Sequence, residues 1–64
     1  MSYTISIDEI TNNILFENDM YMFTIEKAIG TYNLYQFYKK EKKEYFIMHD
    51  ENITILIDYI SKEK

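Results

Sequence analysis

The chain has 64 residues, a formal net charge of −4 at neutral pH, no Cys and no Pro. That length fits one domain, residues 1–64, which buries only ~60% of the surface its unfolded form exposes, and without Cys no disulfide or thiolate metal site can reinforce it. Hydrophobic content of 47% and aromatic content of 17% exclude a disordered tail.

Taken in chain order, the first predicted element is a helix. Ser6-Ile7-Asp8-Glu9 reads as a capping box, with Ser at the N-cap and Glu three residues on. Asp8 and Glu9 suit the positive end of a helix dipole. Ile7, Ile10, Ile14 and Leu15 follow at helical spacing, and Asn18-Asp19 closes the segment. Phe16 is expected to pack on the sheet that comes next.

From Met20 the period changes to two. Tyr21–Glu26 alternates like a strand. Ala28-Ile29-Gly30-Thr31 holds the one Gly of the chain and is the turn candidate. Tyr32–Tyr38 reads as a second strand, Lys39–Lys43 as a charged tip and Glu44–Met48 as a third strand. In the last segment Ile53, Ile55 and Ile57 alternate, which fits a strand. Ile53, Leu56, Ile57 and Ile60 also fit a helical stripe. Asp50 as N-cap, Glu51 in the first turn and Lys62 and Lys64 in the last favour the helix. The expected fold class is α+β in the order α-β-β-β-α. A three-stranded antiparallel sheet would carry the helices on one face and leave the other face uncovered.

Charge is uneven along the chain. Residues 1–38 and 44–60 each sum to −4, residues 39–43 to +3 and residues 61–64 to +1. Arg is absent, which removes the bidentate fork used to read phosphates and bases. Met1-Ser2-Tyr3-Thr4-Ile5 has neither the basic region nor the apolar run of a signal peptide, and no apolar stretch reaches the ~18 residues of a membrane span. With the lack of Cys, this reads as a soluble cytoplasmic protein with no membrane partner.

The single His49 lacks a second group to form a nucleophile–base pair and reads as a loop residue after the third strand. The acid pairs Asp8-Glu9 and Asp50-Glu51 could serve a divalent cation or acid–base work, but capping accounts for both. No catalytic, cofactor or metal-binding residue is assigned.

Lys39, Lys40, Lys42 and Lys43 beside Tyr35, Phe37 and Tyr38 could hold single-stranded nucleic acid by stacking. The same tip also fits a solvated hairpin end that protects the sheet. Alternation puts Tyr35 and Phe37 on one face and Leu34, Gln36 and Tyr38 on the other, and sets Tyr45 and Ile47 opposite Phe46 and Met48. Both faces are then apolar, which marks a contact surface. The partner-binding set read from the sequence is Tyr35, Phe37, Tyr38, Tyr45, Phe46, Met48, Asp50 and Glu51.

This element order, with Glu44-Tyr45-Phe46-Ile47, Glu51-Asn52 and the run from Ile55 to Ile60-Ser61, resembles the small anti-CRISPR proteins that phages use against RNA-guided nucleases. The resemblance covers about a third of the chain at residue level and implies an αβββα fold and a host protein partner, an RNA-guided nuclease, met in the host cytoplasm. In that family acidic side chains imitate DNA phosphates at the site that reads the DNA flank of the target, and Glu51 is the acid that matches by position. The chain departs from the family in its lysine tip and in lacking an acidic C-terminal extension. The expectation is therefore a stoichiometric inhibitor rather than an enzyme. The alternatives are a small single-stranded nucleic-acid-binding module and a structural homodimer paired through the open sheet face.

Overall fold

β-branched and aromatic residues recur from Thr4 to Asp50, the composition that fits a pleated, half-buried surface. In the computed structural model, which describes residues 2–63, this stretch forms five strands: β1 (Thr4–Ile7), β2 (Ile14–Glu17), β3 (Tyr21–Ala28), β4 (Thr31–Tyr38) and β5 (Lys43–Asp50). Each pairs antiparallel with the next, so the sheet order is the chain order. One helix, α1 (Ile53–Lys62), packs back across one face. Met1, and the Lys64 expected in the last helical turn, lie outside the described residues.

The expected α-β-β-β-α order with a three-stranded sheet is overturned: the order is β-β-β-β-β-α. The segment read as the first helix is the β1–β2 hairpin. Asp8 does not begin a helix. Its Oδ1 accepts from the backbone N–H groups of Ile10 and Thr11, at 2.8 and 3.2 Å, and nucleates the connecting loop. The Asp8 N–H donates to the Asn13 carbonyl at 2.9 Å, and Asn12 takes the left-handed conformation, φ 62°, that closes it. Those two N–H groups hold the Asp8 carboxyl below its usual range. Ile10, assigned to the helical stripe, is left exposed in the loop. Phe16, expected on a neighbouring helix, is a strand residue at the edge of the core.

The other connections are short. Asn18 Oδ1 accepts from the N–H groups of Met20 and Tyr21, shaping the β2–β3 turn. Gly30 holds φ 73° in the β3–β4 turn, a conformation that disfavours a Cβ. In the lysine tip Lys42 takes φ 56° and donates its N–H to the Tyr38 carbonyl at 2.8 Å.

The final segment is a helix, and its N-cap is Asn52 rather than Asp50. The Asn52 side chain accepts from Thr54 N–H at 3.0 Å, while Asp50 accepts from Asn52 N–H at 2.8 Å. Glu51 therefore precedes the helix, and the first turn carries no acid. Spacing of three and four residues turns Ile53, Leu56 and Ile60 inward, and Leu56 and Ile60 are buried. They close the core over Phe23, Ile25 and Leu34, with Phe16 and Tyr21 at its margin. Tyr3 joins the two ends of the chain. Its ring packs edge-on against Phe16 and Phe23, and its hydroxyl donates to the last carbonyls of the helix region, Glu63 O at 2.9 Å and Ile60 O at 3.4 Å. The Glu63 N–H also donates to Ile60 O at 3.1 Å, so Tyr3 adds a side-chain donor to the C-terminal cap.

Candidate functional site

One helix covers one face of five strands, so the opposite face is bare. Strand alternation and register decide what it carries. One row crosses it as Ser6, Leu15, Thr24, Tyr35 and Phe46, and the next as Thr4, Glu17, Met22, Phe37 and Glu44. A third row sets Glu26, Asn33 and His49 side by side. Leu15, Met22, Tyr35 and Phe37 are partly buried, and Phe46 stands 54% exposed.

The aromatic centre is ordered. Phe46 meets Tyr35 edge to face, with ring centroids 5.6 Å apart, and His49 stacks over Phe46 at 6.3 Å. Tyr35 Oη and Asn33 Nδ2 both donate to Glu26 Oε1, at 3.4 and 3.2 Å. Burial, and then the Glu26 charge, raise the Tyr35 hydroxyl above its usual pKa, so it stays a donor. The apolar patch is bounded by carboxylates on three sides: Glu17 on β2, Glu26 on β3 and Glu44 on β5. Glu17 is held by Lys39, with Nζ and Oε2 2.6 Å apart.

The sequence-derived set divides between the two faces. Tyr35, Phe37 and Phe46 lie together on the open face. Tyr38, Tyr45 and Met48 lie on the helix face, where Tyr38 and Tyr45 meet edge to face at 5.6 Å and Met48 packs on the core. The expected opposition of Tyr45 and Ile47 to Phe46 and Met48 is corrected by a β-bulge in β5. Leu34 pairs with Met48 and Tyr35 with Phe46, leaving Ile47 unpaired between them and turning Met48 to the same side as Tyr45. Asp50 sits at the end of β5 opposite Tyr32, and Glu51 is exposed in the loop beyond, away from the aromatic centre.

Sequence reasoning did not include Leu15, Met22, Thr24 and His49 in the site. Leu15 was hidden by the helical reading of its segment. The Ile14/Phe16 and Leu15/Glu17 alternation was the signal that could have recovered it.

The lysine tip does not gather the rings beside it. Tyr35 and Phe37 point to the open face and Tyr38 to the other, while Lys39 is engaged by Glu17. On the helix face two adjoining depressions of about 450 and 400 Å³ share Tyr38 and Glu41. Glu41 there accepts from the Tyr45 hydroxyl at 3.3 Å, and its charge raises that hydroxyl's pKa. Among the described residues no group of three or more His, Asp or Glu side chains is placed to hold a metal ion, and no helix is long and apolar enough to cross a membrane.

Comparison with family models, with curated proteins and with solved structures finds no match to this chain. The element order on which the anti-CRISPR resemblance mainly rested is not the order of this fold.

Proposed function

We propose that this chain acts without turnover, by docking the open face of its sheet onto a protein partner in the cytoplasm and blocking that partner. The observation that carries the reading is the uncovered Tyr35–Phe46–His49 cluster with Leu15, Met22 and Phe37 around it and Glu17, Glu26 and Glu44 at its margin. An aromatic centre inside a polar rim is the anatomy of a protein–protein contact.

The rim has one sign of charge apart from Lys39, which favours a basic surface on the partner. A nucleic-acid-handling enzyme offers such a surface in its substrate channel. Carboxylates seated there would compete with phosphates, as the anti-CRISPR resemblance implied. The aromatic cluster would supply burial, which is insensitive to salt, and the carboxylates would steer association, which salt screens.

The test is a titration of the protein against a purified nucleic-acid enzyme that it retains from a host lysate. Inhibition should reach its limit at one equivalent, with no chemical change to either chain. Added salt should lower the association rate more than it raises the dissociation rate. Inhibition that continues to grow far beyond one equivalent, or the consumption of a co-substrate, would overturn this reading.

A further inference from the structure

The two edges of the sheet differ. β5 carries Lys43, Glu44, His49 and Asp50 and is broken by a bulge, features that keep an edge from pairing. β1 has none of them: Thr4-Ile5-Ser6-Ile7 is uncharged, regular and exposed along its whole length. Its side chains suit pairing as well. Ile5 and Ile7 are each 63% exposed on the helix side. Ile5 borders a groove of about 250 Å³ that Tyr3, Phe16, Ile57 and Ile60 also line.

Hydrogen-bond parity defines which backbone groups are available. Asp8 N–H bonds to Asn13 O at one end of the β1–β2 ladder, and Asn18 N–H bonds to Tyr21 O at the turn between β2 and β3. Antiparallel ladders alternate bonded and non-bonded pairs. Ser6 with Leu15 and Thr4 with Glu17 are then the bonded pairs, while Phe16 and Ile14 bond to β3. The N–H and C=O groups of Ile5 and Ile7 consequently face outward.

We infer that β1 is a self-association edge, and that its occupant is β1 of a second copy running antiparallel about a two-fold axis at Ser6. In that register Ile5 faces the copy's Ile7 and exchanges both backbone hydrogen bonds with it. Isoleucines meet on the helix side and the two Ser6 side chains meet on the open side. Charge does not oppose a like partner at this edge. Two chains of net charge −4 repel each other, but between Thr4 and Ile7 they bring no carboxylate against another. The nearest acid, Asp8, is occupied by the N–H groups of its own loop and comes opposite Thr4 of the copy. The contact is a four-residue strand with few large side chains, at the small end of specific interfaces, so the dimer is reversible and concentration-dependent. It joins two sheets into one of ten strands with both helices on one side and both open faces on the other. The inference stands on the edge alone and is independent of what the open face binds.

Sedimentation equilibrium over a wide concentration range tests it. The wild-type average mass should climb from 7.8 kDa toward twice that value. The double variant Ile5→Lys/Ile7→Lys should remain at the monomer mass with an unchanged circular dichroism spectrum, while Phe46→Ala should still dimerise. A second measurement does not depend on the lysine variant folding. Ser6→Cys, in a chain with no other Cys, should oxidise to a disulfide-linked dimer, because a non-bonded antiparallel pair holds Cα atoms ~4.5 Å apart, within disulfide reach. A wild type that stays monomeric overturns the inference. So does a dimer that survives both lysines, one lost in Phe46→Ala, or a Ser6→Cys chain that does not cross-link.

Discussion

Tyr35 and Phe46 stand directly opposite each other on β4 and β5, with their rings edge to face and centroids 5.6 Å apart. The bulge at Ile47 sets this pairing, because it ends the regular alternation of β5 just beyond Phe46. Such a ring pair contributes about 0.5–1.5 kcal/mol beyond the area it buries. A double-mutant cycle of Tyr35→Ala and Phe46→Ala, read by urea denaturation, is expected to give a coupling energy in that range. Both single variants should remain folded, since neither ring belongs to the buried core. A coupling near zero would mean that the two rings do not act as one cluster.

Helix docking is expected to hold most of the stability. Leu56 is fully buried against the sheet. Truncating a buried Leu costs about 2–5 kcal/mol, against a total of roughly 3–10 kcal/mol for a domain of this size. Leu56→Ala should therefore be partly unfolded without denaturant, as judged by circular dichroism. Ile55→Ala, on the more exposed side of the same helix, should shift the urea midpoint only slightly.

Alkaline pH should weaken the clasp between Tyr3 and the helix end. Burial, then the neighbouring Tyr21, push the Tyr3 hydroxyl up from 10.0 to about 12. The folded state thus holds this proton more tightly than the unfolded state. The associated stability is complete below pH 10 and is lost as pH rises from 10 toward 12. Tyr3→Phe removes the hydrogen bond to Glu63 O, at a cost of about 1 kcal/mol near neutral pH. The same variant should lose stability less steeply at alkaline pH. Some slope should remain, because Tyr35, Tyr45 and Tyr59 are also raised. Denaturation midpoints collected between pH 7 and 12 check this.

Replacing Lys39, Lys40, Lys42 and Lys43 by Gln is expected to leave the fold almost unchanged. Lys40, Lys42 and Lys43 are exposed, and the Lys39–Glu17 pair is solvated on both sides. Exposed ion pairs contribute about 0–1 kcal/mol. The wild type should give no gel shift with single-stranded DNA or RNA at low salt. A shift that vanishes steeply with added salt, and is absent in the Gln variant, would favour the nucleic-acid-binding alternative instead.

The last three strands were legible in the sequence because their patterns were long, and the final helix was favoured over a strand by the residues that flank it. Tyr21–Glu26 and Tyr32–Tyr38 alternate over whole strands, and Gly30 marks the turn between them. The first two strands were not legible for the opposite reason. β1 and β2 have four residues each, and Ile7, Ile10, Ile14 and Leu15 happen to satisfy helical spacing across the loop that separates them. Asp8 deepened the error, since a side chain that accepts from nearby N–H groups serves a hairpin loop as well as a helix start. Tyr35 and Phe37 of the candidate site followed from alternation in β4. The division of Phe46 from Met48 did not, because a bulge inserts one residue without leaving a composition signal.

The open face as a binding surface is tested most directly by comparing dissociation of a captured partner from Phe46→Ala and from Ile29→Ala. Ile29 lies fully exposed at the β3–β4 turn, outside the aromatic centre, and so controls for the loss of an apolar surface group. With folding of both variants verified by circular dichroism, surface-immobilised chains are titrated with the same purified partner. Loss of a central aromatic anchor costs about 2 kcal/mol or more, roughly a thirty-fold weakening. That loss is expected for Phe46→Ala, carried by faster dissociation, with Ile29→Ala binding like the wild type. Equal affinities for Phe46→Ala and the wild type would contradict the account.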